Sequence, residues 1–144
     1  MKETLTASAE VEVHFYDIDA VRIMWHGNYV KYLENGREAF GKKFGLEYMD
    51  IYRNGYIVPV ADLHVRYLKP AALGDRLTVE TRYVPCNSAK LMFDYTIYQQ
   101  NDRSVVAEAS TIQLFMTEDG IFEVSVPGFY RQWKKKWNIM ENET

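Results

Sequence analysis

The segment from Tyr16 to Tyr29 brings together side chains that could take part in chemistry. It contains two aspartates, Asp17 and Asp19, and a histidine, His26. A carboxylate held partly away from water can attack a carbonyl carbon or remove a proton from a water molecule. The segment also leads into a predicted helix, whose first amides lack partners and lie at the positive end of the helix dipole. Such amides can polarise a carbonyl and stabilise an oxyanion, so the segment is suited to attack on an acyl group.

An aspartate of this segment could supply such a carboxylate, although Asp17 is expected to bond loop amides as a turn residue. A simpler interpretation, in which Asp19 only caps a turn, stays open. No metal is expected, because none of the three histidines has a ligand partner at a recognisable spacing. The single cysteine, Cys86, follows Pro85 in a turn-like stretch and is not expected to be a nucleophile.

The elements on either side of this loop must position it. Ala9 to Phe15 alternates between apolar and polar residues and predicts a strand with Phe15 on its buried side. After the loop from Tyr16 to Gly27, Asn28 is expected to cap a helix that Gly45 ends. Its apolar face comprises Tyr29, Tyr32, Leu33, Gly36, Phe40 and Phe44, and its polar face comprises Lys31, Glu34, Asn35, Arg37, Glu38, Lys42 and Lys43.

The rest of the chain is predicted to be mostly strand. A short turn or half-helix leads to the turn Asn54-Gly55, and Asp119-Gly120 is a second turn, before a final strand. Pro127 opens a C-terminal helix from Gly128 to about Asn138. The predicted strands are Tyr56 to Leu68, Arg76 to Val84, Lys90 to Gln99, Val105 to Met116 and Ile121 to Val124.

This order of elements predicts an α+β fold. An antiparallel curved sheet is expected to wrap around the long helix, with all 144 residues in one domain. Gly36 on the apolar face costs roughly 1 kcal/mol of helix propensity, which indicates that the helix closely approaches what it packs on. The outer face and edges of such a sheet favour assembly into oligomers.

Composition excludes several classes of function. The net charge of -3 gives no basic footprint for nucleic acid. The run Lys134-Lys135-Lys136 is expected to be a solvated helix face, because Trp133 and Trp137 flank it at helical spacing. No stretch is apolar enough to span a membrane, and the first 15 residues show no signal peptide. With one cysteine, a cytoplasmic location is expected.

The loop and the helix after it resemble the 4-hydroxybenzoyl-CoA thioesterase-like branch of the hotdog-fold superfamily. The matching residues are Asp17-x-Asp19, then Ile23-Met24-Trp25-His26-Gly27-Asn28-Tyr29, then Lys31-Tyr32-Leu33-Glu34. A second match is Val65-x-Tyr67-x-x-Pro70-Ala71 with Gly74-Asp75. The chain departs from the pattern at Val21-Arg22, where relatives commonly have a small residue. Arg22 could point to solvent, pair with an acidic residue, or contact a substrate carboxylate or the CoA phosphates.

The resemblance implies an acyl-CoA thioesterase with a hotdog fold. It implies that Asp19 is the catalytic nucleophile or general base, and that His26 orients the carbonyl or the attacking water. Gly27, Asn28, Tyr29 and Trp25 would then supply oxyanion donors and walls of the site. A purely structural role stays open for each of these residues. His26 could pack within the loop, Gly27 could serve backbone geometry, Asn28 could cap the helix, and Tyr29 and Trp25 could belong to the hydrophobic core.

The resemblance also implies coenzyme A as part of the substrate, with no separate cofactor. Lys69, Arg82, Lys90 and Ser88 are the candidate CoA-binding residues, with a solvated strand or turn as the alternative for each. The high aromatic content favours an aliphatic or aromatic acyl group over a small polar one. An acyl carrier protein is an alternative donor, a non-catalytic acyl-thioester-binding protein is an alternative function, and a homodimer or homotetramer is expected.

Overall fold

The computed structural model describes residues 4–139, which form one five-stranded sheet, one long helix and several shorter elements. A single 3-10 turn, Phe15–Asp17, begins the loop that follows the first strand. The strands are β1 (Thr6–Glu12), β2 (Tyr56–Ile57), β3 (Val60–Tyr67), β4 (Arg76–Val84), β5 (Lys90–Gln99), β6 (Val105–Leu114) and β7 (Met116–Thr117), and the helices are α1 (Asn28–Phe44), α2 (Tyr48–Arg53) and α3 (Gly128–Lys136).

The large sheet is antiparallel throughout, with the order β1-β4-β5-β6-β3. The short strands β2 and β7 pair separately. This architecture confirms the predicted α+β fold, in which an antiparallel sheet holds one long helix and a helix follows at the C-terminal end. Since β1 and β3 are the two edges of the large sheet, each has one side without a strand partner.

Helix α1 lies on the inner face of the sheet, mainly against β1 and β4. A Cβ atom added at Gly36 would lie 2.4 Å from Thr81 Oγ1 and 2.7 Å from Val79 Cγ1. The close approach predicted at this glycine is therefore confirmed. All six residues of the predicted apolar face are buried: Tyr29, Tyr32, Leu33, Gly36, Phe40 and Phe44.

Three predicted strand boundaries are wrong. Strand β1 ends at Glu12, so Phe15 begins the 3-10 turn and is 80% exposed. The predicted strand from Tyr56 to Leu68 is interrupted before Val60, because Pro59 has no N–H to donate to a neighbouring strand. After the turn at Asp119-Gly120, no strand follows within the described residues, and a single bridge joins Phe122 to Met116.

Two cations expected on solvated helix faces are buried instead. Arg37 is 1% exposed, donates from Nε to Gln113 Oε1 at 3.1 Å and donates from Nη1 to the Leu46 carbonyl at 2.9 Å. Lys134 donates to the carbonyl of Cys86. Helical spacing could not predict either position, because both cations are buried by partners that are distant in sequence.

Candidate active site

Residues 17–25 form a short hairpin that is fastened to the segment before β4. Within the hairpin, the Asp19 N–H donates to the Ile23 carbonyl at 2.9 Å. The hairpin is held to the rest of the fold by the Met24 N–H, which donates to the Ala71 carbonyl at 2.7 Å. Asp19 therefore has a fixed backbone position at the tip of a loop that the sequence predicted to be irregular.

Asp17 is buried and serves the structure of this loop. Its Oδ2 accepts hydrogen bonds from the His14 N–H at 2.9 Å and from the Tyr32 hydroxyl at 2.9 Å. Burial, and then the hydrogen bond to Asp17, raise the pKa of Tyr32 above its ordinary value. The prediction that Asp17 bonds loop amides is confirmed by the geometry. Since Tyr32 belongs to α1, Asp17 also ties the loop to the helix.

Asp19 is exposed, and only one of its carboxylate oxygens has a partner. Oδ1 accepts from the Val21 N–H at 2.9 Å, and the Asp19 carbonyl accepts from the Arg22 N–H at 3.0 Å. Oδ2 accepts no hydrogen bond from residues 4–139. The turn-capping role and a chemical role are thus compatible, because each uses a different oxygen.

Arg22 completes this turn in the left-handed conformation, with φ of 65°. A residue other than glycine adopts such a conformation at a steric cost. Its side chain is exposed, and no carboxylate of residues 4–139 lies within ion-pair distance. The solvent-facing interpretation of Arg22 fits these surroundings.

The prediction that Asn28 caps helix α1 is wrong. Gly27 occupies the N-cap position without a side-chain cap, and Asn28 is the first helical residue. Asn28 Nδ2 donates to the Asp17 carbonyl at 2.8 Å, and the Asn28 N–H donates to the Trp25 carbonyl at 3.0 Å. Asn28 therefore fastens the helix to the hairpin, and its own N–H is not available to an oxyanion.

The available amides lie just before the helix, at His26 and Gly27. Within residues 4–139, neither N–H donates to an acceptor. They precede the first turn of α1, where the helix dipole favours negative charge. The N–H of Gly27 can therefore act as an oxyanion donor, as predicted, whereas the N–H of Asn28 cannot. The N–H of His26 is a further candidate donor that the sequence did not predict. Sequence reasoning missed this, since it placed the helix cap one residue too late.

Aromatic rings surround these amides. The ring of Trp25, 52% exposed, covers Gly27 so closely that an added Cβ would lie 2.2 Å from Trp25 Cζ3. The His26 ring is exposed and lies with its centroid 5.0 Å from that of Trp25. Glycine is therefore needed at position 27 for the close approach of Trp25. The His26 ring makes no hydrogen bond to residues 4–139, so its predicted role in orienting a substrate stays a prediction.

Two tyrosines hold the start of helix α1 in place through hydrogen bonds of their hydroxyl groups. Tyr29 is buried and accepts a hydrogen bond at its hydroxyl from the Ala71 N–H at 3.2 Å. Burial raises the pKa of Tyr29. Tyr67 donates from its hydroxyl to the His26 carbonyl at 2.8 Å. Sequence reasoning did not assign Tyr67 this contact, although its alternation with Val65 places it on the inner face of β3.

The four candidate CoA-binding residues do not come together in one chain. Lys69 lies just after β3 and donates from Nζ to Ser104 Oγ at 2.8 Å. Arg82 pairs with Glu80 at 2.6 Å, six residues along β4 from Arg76. Ser88 and Lys90 lie beyond the end of β4, about 25 Å from its start at 3.3 Å per residue. The segment just before β4 is bridged to the hairpin at Ile23 and Ala72, so Ser88 and Lys90 lie towards the other end of β4 from Asp19 within a chain.

Helix α1 packs mainly against β1 and β4, on the other side of the sheet from β3, and we infer that this leaves a trough between α1 and β3. Leu63 and Tyr67 face it from β3 and are 42% and 46% exposed. They pair with Thr111 and Ala107 of β6. We call this feature the β3 trough. It begins at Tyr67, beside the start of α1, and continues towards Leu63.

At its far end the β3 trough deepens into a pocket with a volume of about 120 Å³. We call it the α1–β3 pocket. The apolar part of its wall comes from α1 and β3, and the polar part comes from α1, α2 and the central strands. Its lining comprises Val30, Leu33, Glu34, Tyr48, Val60, Leu63, Tyr95, Thr111 and Gln113.

Residues 4–139 contain no group of three or more His, Cys, Asp or Glu side chains placed to hold a metal ion. The helices of the described part of the chain include none that is long and apolar enough to cross a membrane. What the loop offers chemically is therefore a carboxylate, two backbone donors and an adjoining apolar trough.

A family model described as the thioesterase-like superfamily matches residues 13–133. The chain is 34% identical over 104 residues to "Putative acyl-CoA thioesterase YneP" of Bacillus subtilis (strain 168), covering 72% of this chain and 75% of that protein. It is 24% identical over 107 residues to a chloroplastic acyl-acyl carrier protein thioesterase of Arabidopsis thaliana, covering 74% of this chain and 56% of that protein.

The fold has a close counterpart among solved structures. The 4-hydroxybenzoyl CoA thioesterase of Pseudomonas sp. strain CBS-3 superposes with a TM-score of 0.77 at 21% identity, covering 89% of this chain and 98% of that chain. This likeness confirms the predicted hotdog fold. Together with the family match over residues 13–133 and the similarity to the Bacillus protein, it shows that this chain is a hotdog-fold member of the thioesterase-like superfamily.

Proposed function

We propose that this chain hydrolyses acyl-CoA thioesters to a free acid and coenzyme A. The observation that carries the proposal is the loop before α1. It presents the uncommitted Oδ2 of Asp19 and the unpaired N–H groups of His26 and Gly27. Membership of the thioesterase-like superfamily supports the reaction class.

The two N–H groups suit the carbonyl of the thioester. They would donate to the carbonyl oxygen, and the bonds would strengthen as negative charge develops on that oxygen. Loss of one such donor in other enzymes costs about 3 kcal/mol of transition-state stabilisation. The thiolate is a good leaving group, so the C–S bond can break once the oxyanion collapses, and the thiolate then takes up a proton.

Asp19 can act by either of two routes. As a general base, it takes a proton from water while the water oxygen adds to the carbonyl carbon. As a nucleophile, its Oδ2 displaces the thiolate and forms a mixed anhydride, which water then opens. A single turnover in ¹⁸O-labelled water tests the nucleophilic route, because attack of water on the Asp19 carboxyl of the anhydride would leave the label in the protein.

We further propose that the acyl group lies in the β3 trough. The trough begins beside the predicted oxyanion donors, and Leu63 and Tyr67 present exposed apolar surface to it. Burial of an acyl chain against such residues contributes about 25 cal/mol per Å² of apolar surface removed from water. The nucleotide half of CoA would then extend away from α1, towards Lys69.

A homodimer or homotetramer is the proposed assembly. Strand β3 has one unpaired edge, and apolar side chains along it are exposed, including Val60 at 46% and Leu68 at 46%. An exposed apolar edge strand is a liability in a monomer. A second copy covering β3 would also bring new basic groups towards the site, which is how Arg82, Ser88 or Lys90 could meet the phosphates of CoA.

One domain in a reducing compartment is the proposed setting. The described elements share one sheet and one core, which supports a single domain over the chain. Cys86 is a free thiol, as expected for a protein kept in the cytoplasm.

The test is release of free thiol from acyl-CoAs by the purified protein. Butyryl-, hexanoyl- and benzoyl-CoA would be compared with hexanoyl-acyl carrier protein at equal concentrations. We expect turnover of at least one CoA ester with a kcat/KM above that for the carrier-protein ester. A higher kcat/KM for the carrier-protein ester would instead support an acyl carrier protein as the donor. Tight binding of acyl-CoA without any thiol release would contradict the enzyme proposal and favour a binding protein.

A further inference from the structure

We propose that the α1–β3 pocket selects acyl groups that end in a neutral hydroxyl about six carbons from the thioester. This inference rests on the proposed function and specifies its substrate class. The pocket residues that would recognise the hydroxyl are Glu34, Tyr95 and Thr111, and the apolar wall formed by Val30, Leu33 and Leu63 would hold the carbon chain.

The size of the pocket limits the acyl group. Its volume of about 120 Å³ is slightly below the roughly 150 Å³ of an engineered apolar cavity that binds benzene. The end of a six-carbon chain fits such a space, whereas a long fatty acyl chain does not. The pocket therefore favours short or medium acyl groups.

The distance between the oxyanion donors and the pocket limits the length of the acyl chain further than the pocket volume does. Glu34 follows Asn28, the first residue of α1, by six positions, which corresponds to about 9 Å along the helix axis. Side chains of a helix lean towards its N-terminus, so the Glu34 carboxylate lies somewhat closer than this to the start of the helix. A six-carbon chain with a terminal hydroxyl spans a similar length, at about 1.2 Å per bond.

The pair of hydroxyls at Tyr95 and Thr111 provides a donor. The two oxygens are 3.1 Å apart, and both residues are buried, at 3% and 7% exposed. One hydroxyl proton lies between the two oxygens, and the second proton has no acceptor among residues 4–139. Because buried donors are costly when they lack an acceptor, this proton favours a ligand oxygen in the pocket.

Glu34 provides the matching acceptor, and a chain of hydrogen bonds orients it. Arg37 donates to Gln113 Oε1, so the Gln113 amide nitrogen faces Tyr48 and donates to its hydroxyl at 3.1 Å. The Tyr48 hydroxyl then donates to Glu34 Oε2 at 3.2 Å. The Glu34 Oε1 accepts nothing from residues 4–139 and can accept from a ligand.

A hydroxyl both donates and accepts, so it can satisfy the acceptor on Glu34 and the donor at Tyr95–Thr111 together. A methyl end would pair with neither group and would leave the buried donor at Tyr95–Thr111 without an acceptor. A carboxylate end would place a second negative charge beside Glu34. The pocket should therefore rank a terminal hydroxyl above a methyl group, and a methyl group above a carboxylate.

The experiment compares kcat/KM for hexanoyl-CoA, 6-hydroxyhexanoyl-CoA and adipoyl-CoA, which differ only at the end of a six-carbon chain. In the wild-type protein, we expect 6-hydroxyhexanoyl-CoA to exceed hexanoyl-CoA by at least about tenfold, since sites built to pair a hydroxyl discriminate strongly against its absence. Adipoyl-CoA should be the poorest of the three.

Three pocket variants are compared by the ratios of kcat/KM between esters, so a general loss of activity does not affect the result. In Tyr95→Phe and in Glu34→Leu, the ratio of 6-hydroxyhexanoyl-CoA to hexanoyl-CoA should fall towards one. In Glu34→Gln, which removes the charge but keeps an oxygen, adipoyl-CoA should gain at least about tenfold relative to hexanoyl-CoA. Glu38→Gln, one turn later on the exposed face of α1, is the matched control and should keep the wild-type ratios.

The outcomes separate the two proposals. Turnover of all three esters at equal kcat/KM, or wild-type ratios in the pocket variants, would overturn the selection by this pocket and leave the thioesterase proposal standing. No thiol release from any CoA ester, including butyryl- and benzoyl-CoA, would overturn the proposed function and this inference with it.

Discussion

Asp17 and Asp19 have the same side chain and lie two residues apart, yet their surroundings differ. Asp17 is 5% exposed and has two donors on one oxygen, whereas Asp19 is exposed and keeps one oxygen without a partner. Residues separated by two positions can play different parts because the hairpin turns Asp17 towards α1. Substitution of the two should therefore separate stability from catalysis.

Asp17→Asn should lower the free energy of unfolding by about 1–3 kcal/mol, because a charged acceptor of the His14 N–H and the Tyr32 hydroxyl is lost in a buried place. Urea denaturation followed by circular dichroism would measure the change. Asp94→Asn, at an exposed position of β5, is the control and should change the value by less than about 0.5 kcal/mol. An equal effect of both substitutions would count against the structural role of Asp17.

The buried hydroxyl of Tyr95 should make the free energy of unfolding depend on pH in the alkaline range. Burial raises its pKa from the ordinary value of 10.0 to about 12. The contribution of Tyr95 to the free energy of unfolding is therefore fully present below pH 10. It is lost as the pH rises towards 12, because the Tyr95 hydroxyl releases its proton at a lower pH in the unfolded chain than in the folded chain. Denaturation at a series of pH values should show a decline of about 1–3 kcal/mol over this range that is smaller in Tyr95→Phe. Identical pH profiles for the two proteins would contradict this account.

The sequence allowed the two aspartates to be assigned different roles, because the resemblance to the thioesterase branch gives the catalytic role to the second of the pair, Asp19, and Asp17 fits a turn residue. It could not place Arg37, whose position on the polar side of the helical pattern predicts solvent. Gln113, Leu46 and Tyr48 bury it through contacts that form only in the folded chain. Asn28 was misassigned for a similar reason, since its partner is the Asp17 carbonyl and not an amide of the helix.

At the scale of elements, the packing of α1 depends on the absence of a side chain at Gly36. Gly36→Ala improves helix propensity by about 1 kcal/mol but brings a Cβ within 2.4 Å of Thr81 Oγ1. We expect a net loss of stability of about 1–3 kcal/mol, because Val79 and Thr81 must move. Thermal denaturation would measure it.

Gly128 supplies the control for this prediction. It is also a helical glycine, at the start of α3, and an added Cβ would meet no atom within 4 Å. Gly128→Ala should therefore leave the melting temperature unchanged or slightly raised. If Gly36→Ala were as stable as Gly128→Ala, the close approach of α1 to β4 would be wrong.

The long elements were predictable, because α1, β4 and β5 carry sustained periodicity: both ends of β4 and β5 match the structure, and α1 starts one residue earlier than predicted. The short ones were not. Strand β1 runs from Thr6 to Glu12 because it pairs with β4 over that range, which alternation alone cannot specify. The α1–β3 pocket also could not be predicted from the sequence, since residues from α1, α2 and three strands line it.

At the scale of the whole molecule, β3 is the surface that should be covered by a second copy. Leu68→Glu places a charge at the end of this strand and should shift the mass measured by light scattering towards that of one chain. Val124→Glu is the matched control, since Val124 is 91% exposed outside the sheet. A wild-type protein that is monomeric at micromolar concentration would contradict the proposed assembly.

The central claim is that Asp19 carries out the reaction, and kcat of Asp19→Asn on the best acyl-CoA tests it most directly. Asp119→Asn, at an exposed turn, is the control for a lost surface carboxylate. We predict that Asp19→Asn keeps the melting temperature of the wild type and loses kcat by about 100-fold or more, whereas Asp119→Asn keeps both. A folded Asp19→Asn with wild-type kcat would show that another group performs the chemistry.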